Sequence, residues 1–494
     1  MENTKKKIVI IGAGFSSLSA SAYLAKAGYD VHILEKNSDP GGRARQLIRH
    51  GFTFDIGPTF YWMPDVFEKF FNDFGKKVED YYELVKLNPA YRVYFGEDKS
   101  LSIADNFEAI KKTFEEVEPG AGEMLQKFID KAQANYEIAI NDLVYKPGQN
   151  ILEIVTPKTV MKLKDFVDTI RKQVRRYVKH KNLIKLLEFP VLFLGAKPGN
   201  TPSFYNFMNY ADFKLGTWHP RGGMYQVVRG MVTLAEELGV KITTDCSVNS
   251  IKVEDKMVRT VETEKGNFDC DILLSGADYN HTENLLPKEY QQYSDGYWDK
   301  KSFAPSALMF YVGFDQKLKN LDHHTLFFDT DFDRHAEAIY DTGEWPDKPL
   351  FYASFPSMTD KESAPIGKEA GIFLIPLAPD TKDTPEDREK YFEILMTRME
   401  TLTKQDVRKH VIFKESFCVD DFKSEYNSYK GNAYGLANTL MQTHILRPKL
   451  KSKKINNLYF TGQLTVPGPG VPPSLISGNI VSDLIIKYHN ERTI

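Results

Sequence analysis

IVIIGAGFSSLSA, residues 8–20, decides how this chain is read. An apolar, β-branched run over residues 7–11 leads into Gly12 and Gly14, the first two glycines of a G-x-G-x-x-G turn. Ser17 stands at the third position of that pattern. The first glycine permits the tight turn, the second lets backbone approach a pyrophosphate, and the third lets the helix pack closely on the strand. Both phosphate positions are kept. Ser17 touches only the packing position, where the wider pattern already admits alanine, and its hydroxyl is able to bond back to a carbonyl one turn earlier. Ser16 and Ser17 also stand where a helix N-terminus offers N–H groups to an anion. Leu18, Ala22, Leu24 and Ala25 follow partly at helical spacing, with Gly28 as a stop, and DVHILEK reads as a second strand ending at Glu35. Strand, glycine loop, helix and strand make a βαβ unit. Taken alone, the loop also fits a glycine turn in some other α/β protein.

Glu35 and the residues after it narrow the choice. Glu35 lies 35 − 12 = 23 residues after the first glycine, where a carboxylate accepts from a ribose 2′-hydroxyl and repels a 2′-phosphate. That disfavours NADP; a solvated glutamate at a strand end is the plainer alternative. EKNSDPGGRARQ then adds Gly41, Gly42 and Arg43, and GFTFDIGPTFYW adds the turn Gly57-Pro58-Thr59. A second close backbone approach and a fixed cation suit an extended cofactor such as FAD, whose pyrophosphate needs more neutralisation; a simple NAD domain has no need of them. At the far end, NLYFTGQLTVPGPGVPPSLISG, residues 457–478, runs from a strand ending at Gly462 through a proline-stiffened loop into a last helix from about Ser474 to Tyr488. Such a helix N-terminus supplies partial positive charge to a flavin, although packing alone also explains a stiff loop.

The bulk properties bound the rest. A chain of 494 residues is too long for one ordinary core. Its 42% hydrophobic and 27% charged residues are those of a soluble globular protein, and a net charge of −3 does not point to nucleic acid. Cys246, Cys270 and Cys418 are scattered, which argues against a disulfide framework or a cysteine-rich zinc site. MENTKKK runs straight into the first strand without a secretory signal pattern, and no run of 18 apolar residues occurs, so a cytoplasmic protein is expected. Helical, aromatic and charged stretches fill residues 60–220. Residues 223–240 read as a helix, and 241–277 and 303–315 as strands.

GAGFSSLSA, EKNSDPGGRARQLIRHGFTFDIGPT, TWHPRGGMYQVVRGM and TGQLTVPGPGVPPSLISG together resemble the bacterial phytoene-desaturase family of carotenoid desaturases, in motifs spread over nearly the whole chain. The resemblance implies an α/β (α+β overall) fold: a Rossmann-like FAD-binding domain of glutathione-reductase or amine-oxidase type, assembled from residues 1–75, 220–300 and 425–494. A substrate domain of mixed sheet and helices would take 76–219 and 301–424. It also implies a lipid polyene substrate and dehydrogenation of carbon–carbon single bonds. Carried over, Gly12, Gly14 and Ser17, with Phe15 and Ser16 beside them, would face the pyrophosphate, and Glu35, followed by Lys36, the ribose. Gly41, Gly42 and Arg43 would hold the phosphates and ribityl side, with Gly57, Pro58 and Thr59 in the next motif. Val248 would cover adenine through its backbone. Gly462 and the loop carrying Val471, Pro472 and Leu475 would cradle the flavin. Two departures stand out: family members commonly have glycine or alanine at Ser16 and Ser17, and many related flavoproteins carry an acid at Gln463.

The chemistry implied is hydride loss to flavin N5 beside a conjugated chain, with the cation delocalised along the polyene, then loss of a proton to water or a weak base. The cofactor carries the hard step, and the protein positions it and excludes water. An apolar tunnel is expected, without NADPH or metal; the pair His323-His324 lacks partner ligands. No general base is named. His219 and Arg221 lie in TWHPRGGM, which serves either FAD binding or folding. Reoxidation would fall to oxygen or a quinone. Membrane contact is expected of residues 161–187, MKLKDFVDTIRKQVRRYVKHKNLIKLL, read as one basic helix with nine Lys or Arg against Asp165 and Asp168. Leu163, Phe166, Val167, Ile170, Val174 and Val178 form its apolar stripe, which the sequence leaves facing either lipid or core. The motifs do not separate a phytoene-type enzyme from one acting later, on the open end of a γ-carotene-like or hydroxylated carotenoid. A carotenoid isomerase or oxygenase of the same fold, a flavin amine oxidase and a non-enzymatic prenyl-lipid carrier stand as alternatives.

Overall fold

A computed structural model describes residues 5–490; the first four residues of MENTKKK lie outside them. The first strand, β1 (Lys7–Ile11), is buried on both faces after Lys7, as its unbroken apolar run requires. It sits at the centre of a five-stranded sheet in which every neighbour is parallel. β2 (Asp30–Leu34) and β3 (Lys241–Thr243) lie on one side of it, β4 (Ile272–Ser275) and β5 (Leu458–Phe460) on the other. Register brings the carboxyl ends together: Ile11 is opposite Leu34 and Ser275, and Ser275 is opposite Phe460. Gly12, Glu35, Gly276 and Gly462 therefore emerge along one edge, where open α/β sheets bind their ligands.

The helix α1 (Phe15–Lys26) leaves that edge directly, and the last helix, α2 (Val471–Asn490), packs along it. α2 starts three residues earlier than the sequence suggests, because Pro472 and Pro473 lie within its first turn, where a missing N–H costs nothing. The two helices touch at backbone distance. A Cβ built on Gly478 falls 2.6 Å from Ser19 Cβ and 2.8 Å from the Ala20 nitrogen.

A second, seven-stranded sheet is built from residues 91–103 and 306–417, with Ser306–Phe314 buried at every position. Only Tyr91–Gly96 and His324–Phe327 pair in parallel within it. Residues 107–215 are mainly helical, in many short pieces.

Residues 161–187 do not form the single helix expected of them. Thr169 accepts from the Lys172 N–H and starts a new helix at Ile170. Val178 is extended, and His180 caps a further helix, Lys181–Glu188. Each break rotates the stripe. Ile170, Val174 and Val178 are fully buried, whereas Leu163 and Val167 are 65% and 71% exposed. The arginines of the middle helix are tied into the fold: Arg171 pairs with Asp333, and Arg175 with the buried Glu188. The middle helix thus faces the core, and reversing its charges would break structural pairs before it tested any lipid contact.

The contact at Gly478 is measurable. Gly478→Ala should force α1 and α2 apart and cost about 1–3 kcal/mol, the usual range for overpacking. The readout is a lower thermal unfolding midpoint.

Candidate functional site

A large cavity of about 950 Å³ starts at the carboxyl edge of the parallel sheet and continues through the helical region to the surface. At the sheet end, Gly12 has φ +86°, a conformation open to glycine. Gly14 is the residue before α1, and a Cβ there would meet nothing within 4 Å. Its face lies open to the cavity. Glu35 is 4% exposed and accepts from the Ala13 N–H at 2.7 Å and the Asn37 N–H at 2.8 Å, so the carboxylate braces the glycine loop from the second strand.

The GGR segment closes over this loop. The Gly41 N–H donates to the Ala13 carbonyl at 2.8 Å, and a Cβ on Gly42 would touch Gly14 Cα at 3.4 Å. The absence of a side chain at Gly57 admits the Arg43 carbonyl. Arg43 lines the cavity and donates through Nη2 to Ser428 Oγ at 3.0 Å and the Asn432 carbonyl at 3.3 Å. Its Nε is buried without a partner. Burial lowers the guanidinium's pKa, and the carboxylate of Asp278 opposes that shift. An unpaired buried cationic N–H beside a bare glycine backbone fits a phosphate of an extended dinucleotide.

Sixteen of the residues singled out in the sequence line the cavity: Gly12, Gly14, Phe15, Ser16, Glu35, Lys36, Gly41, Gly42, Arg43, Gly57, Pro58, Thr59, Val248, Gly462, Val471 and Pro472. Ser17 and Leu475 stand behind the wall, at 0% and 2% exposure. Ser17 packs against Gly276 at the end of β4, where a Cβ would collide with the serine hydroxyl. The room that the third glycine of the pattern normally makes is thus supplied from the opposite strand. Leu475 packs in the core, and its carbonyl accepts from Ser19 Oγ at 2.8 Å. Gln463 also lines the cavity, with a neutral amide 3.4 Å from Asn432 Oδ1.

The GGM part of TWHPRGGM builds a helix start. A side chain on Gly223 would meet both Asp55 carboxylate oxygens at 2.7 Å. Its absence lets Asp55 accept from the Met224 N–H at 2.8 Å and the Tyr225 N–H at 3.3 Å, at the start of the helix Tyr225–Glu237. Burial raises the Asp55 pKa to about 6 against the lowering effect of those N–H groups. Arg221 pairs with Glu83 at the surface at 2.8 Å. Neither His219 nor Arg221 lines the cavity.

Beyond the glycine loops the cavity is mainly apolar, with Trp62, Met63, Phe189, Phe204, Phe207 and Phe328 in its wall. Every acidic lining residue belongs to the sheet end or the segments packed on it: Glu35, Asp278 and Glu425. At the far end the lining includes Ile151, Val155, Val160 and Leu163. Seven large apolar side chains in residues 151–167 are exposed, between 49% and 78%. Sequence periodicity missed this rim, because its apolar residues are spread over three short helical pieces and their links, with no shared period. Thr59, Tyr352 and the buried His324 behind them form a polar seam in the apolar wall. Among the described residues, no group of three or more His, Cys, Asp or Glu is placed to hold a metal ion.

Comparison with known proteins bears on the same site. The family model described as flavin containing amine oxidoreductase matches residues 15–486. A carotenoid 3,4-desaturase of Haloarcula japonica is 40% identical over 488 residues, covering 97% of this chain and 98% of that protein. A 4,4′-diapophytoene desaturase (4,4′-diaponeurosporene-forming) of Staphylococcus haemolyticus is 31% identical over 497 residues, covering 97% and 98%. Among solved structures, an oxidoreductase from Methanosarcina mazei superposes with a TM-score of 0.65 at 16% identity, covering 97% of this chain and all of that one. A putrescine oxidase variant gives 0.62 at 13% identity, covering 98% and 99%. At such identities the structures attest the fold alone.

The Ser17–Gly276 contact tests the placement of the first loop. Ser17→Leu should push α1 from the sheet and abolish flavin binding, whereas Ser17→Gly should bind nearly as the parent does. Flavin absorbance per mole of purified protein is the measurement; full retention by Ser17→Leu would refute it.

Proposed function

Since this chain belongs to the flavin-containing amine oxidoreductases, among their carotenoid desaturases, and is an FAD-dependent oxidoreductase, we propose that it desaturates the open end of an acyclic or partly cyclised carotenoid. The observation that carries this reading is the cavity, which runs without a break from the glycine loops through an apolar barrel to an apolar rim. A polyene offers no charge to recognise, so burial of its length against apolar side chains is the available source of affinity, at about 25 cal/mol per Å². The acidic lining is confined to the sheet end, so the apolar length offers no carboxylate to pair with a cationic amine. The higher identity to the 3,4-desaturase than to the diapophytoene desaturase favours an end bond over an interior one.

In this reading the division of labour is spatial. Residues 1–75, 220–300 and 425–494 form the cofactor domain, and 76–219 with 301–424 the substrate domain. Gly12 and Gly14 present bare backbone to the pyrophosphate, Arg43 offers its unpaired Nε to a phosphate oxygen, and Glu35 lies toward the ribose. Val248 flanks the adenine, and Gly462, Val471 and Pro472 border the flavin. When bound, FAD supplies a two-electron acceptor for hydride from carbon; reoxidation falls to oxygen or a quinone. The protein excludes water and aligns the chain end, which protects a delocalised cation from capture.

Substrate delivery is assigned to the rim. No helix among the described residues is long and apolar enough to cross a membrane. Exposed Met161, Leu163 and Val167, beside Lys158, Lys162 and Lys164, suit shallow insertion into an anionic bilayer surface. The entrance then opens where the substrate resides.

Two measurements test this reading. Co-expression with defined carotenoid pathways, with lipid extraction afterwards, should yield products two hydrogens poorer per step from acyclic or single-ring precursors, and none from two-ringed ones. Conversion of no carotenoid would refute it. Met161→Glu, Leu163→Glu and Val167→Glu combined should weaken binding to anionic vesicles at least ten-fold while leaving flavin content unchanged, since each buried apolar side chain contributes roughly 1.5–3 kcal/mol. Added salt should weaken the parent's binding, because each Lys near the surface contributes about 1 kcal/mol.

A further inference from the structure

Thr59 and Tyr352 come from distant parts of the chain and meet in the cavity wall. Thr59 Oγ1 lies 2.7 Å from Tyr352 Oη, and Tyr352 Oη lies 2.6 Å from His324 Nδ1. Three titratable or exchangeable groups thus form an unbroken chain from the cavity into the protein. His324 is fully buried, and its other nitrogen, Nε2, has no hydrogen-bond partner. Phe60 stacks on the imidazole at 4.1 Å with an interplanar angle of 14°, which fixes the ring so that Nδ1 points at the tyrosine. A buried imidazole with one nitrogen bonded and the other free is costly, and such a group calls for an explanation. The rings of His323 and His219 continue the cluster, with centroid separations of 4.5 Å from His324 to His323 and 4.6 Å from His323 to His219. His323 is held by Thr359 Oγ1 at 2.8 Å, and His219 Nε2 lies 3.8 Å from the Asp360 carboxylate.

We infer that Thr59, Tyr352 and His324 form the proton exit of the desaturation, with the two hydroxyls as the groups that touch substrate and His324 as the positioning residue that receives the proton through them. The inference rests on the reading of the protein as a carotenoid desaturase. Removing two hydrogens from a C–C bond takes one away as hydride, and the oxidant for that is the flavin. What remains is a cation with an acidic C–H beside it. The C–H pair becomes the second bond of the new C=C, and the proton passes to Thr59 Oγ1. The Thr59 proton passes to Tyr352 Oη, and the tyrosine proton to His324 Nδ1. His324, neutral beforehand with its proton on Nε2, becomes an imidazolium. It returns that proton over the same hydroxyls to water that enters as product leaves. No charge stays on either hydroxyl, so neither must become a strong base; the seam is a polar interruption that the apolar barrel needs.

The neighbouring groups fit this direction of transfer. Burial first, then the His219 imidazole, keeps His324 well below the ordinary imidazole range, so it is uncharged and able to accept before the reaction. Tyr352 is pushed well above its ordinary value by burial, so it acts as a conduit and not as a phenolate. A carotenoid cation in the barrel is also the strong acid that a weakly basic acceptor requires.

The test uses the flavin-loaded full chain with the carotenoid that the parent converts. Thr59→Val, Tyr352→Phe and His324→Gln should each lower kcat about 100-fold, the lower end of what positioned proton transfer contributes. KM should stay within two-fold of the parent, with turnover expressed per bound flavin because Thr59 also lies in a carried-over cofactor motif. Thr59→Ser should recover most of the loss seen in Thr59→Val. Substrate deuterated at the carbon that releases the proton should show a larger isotope effect on kcat in Tyr352→Phe than in the parent, because proton loss becomes slow. Turnover within two-fold of the parent in Thr59→Val and Tyr352→Phe overturns the relay. Equal losses in Thr59→Ser and Thr59→Val, an unchanged isotope effect, or losses that track missing flavin in all three variants also overturn it and leave these residues to packing. Failure of the substrate reading looks different: the parent itself would convert no carotenoid.

Discussion

The close approach of α1 to the parallel sheet and to α2 is the constraint on which the structure depends. Gly12 turns the chain sharply, Ser17 settles against Gly276, and Gly478 lets α2 lie at backbone distance from Ser19 and Ala20. Glu35 is braced against the Ala13 N–H because α1 begins where it does, and the GGR segment closes on the same backbone through Gly41 and the Ala13 carbonyl. Had the helix stood one side chain farther out, the bare glycine backbone and Arg43 would no longer line one cavity.

From that edge the cavity changes character in an ordered way. Its acidic lining is gathered around the glycine loops, and the rest is mainly aromatic and aliphatic, with Lys146, His335 and His444 set among it. The seven-stranded sheet forms one wall and the helical region the other, so a long apolar molecule is covered along its length while the cofactor end stays polar. This division answers two opposite demands. A dinucleotide needs fixed N–H groups and a cation, and a polyene needs their absence. At the surface the rim stays apolar, with seven large apolar side chains over residues 151–167 exposed; exposed apolar groups of this kind commonly mark interaction sites.

The polar groups set into the apolar half are organised. The Tyr352 hydroxyl lies between Thr59 and His324, and the imidazole ring is fixed by Phe60. Asp55 and Gly223 account for the neighbouring TWHPRGGM motif as a helix start, which separates the structural part of this polar region from the part that reaches the cavity.

The nucleotide half was legible in the sequence because its constraints are local. A tight turn, a bare backbone and a carboxylate at a strand end each require a residue type at a fixed spacing, and parallel pairing then carries Gly12, Glu35, Gly42 and Gly462 to one edge. The substrate half was not legible in the same way. The stripe over 161–187 looked continuous because periodicity is blind to caps; Thr169 and His180 cut it, so Ile170 and Val174 turned inward while Leu163 and Val167 stayed in solvent. Ser17 departs from the pattern, and only the facing Gly276, 259 residues away, makes room for its hydroxyl, which does not bond back to a carbonyl as expected but is buried without a partner. Thr59, His324 and Tyr352 carry no shared motif, since their meeting depends on the pairing of strands His324–Phe327 and Phe351–Ser354 beside a loop from the other end of the chain. The sequence by itself determined the glycine loop, the cofactor class and the family. Tertiary packing decided which apolar faces are buried and which stay exposed, and which polar groups meet one another, because both depend on contacts between residues that no local spacing relates.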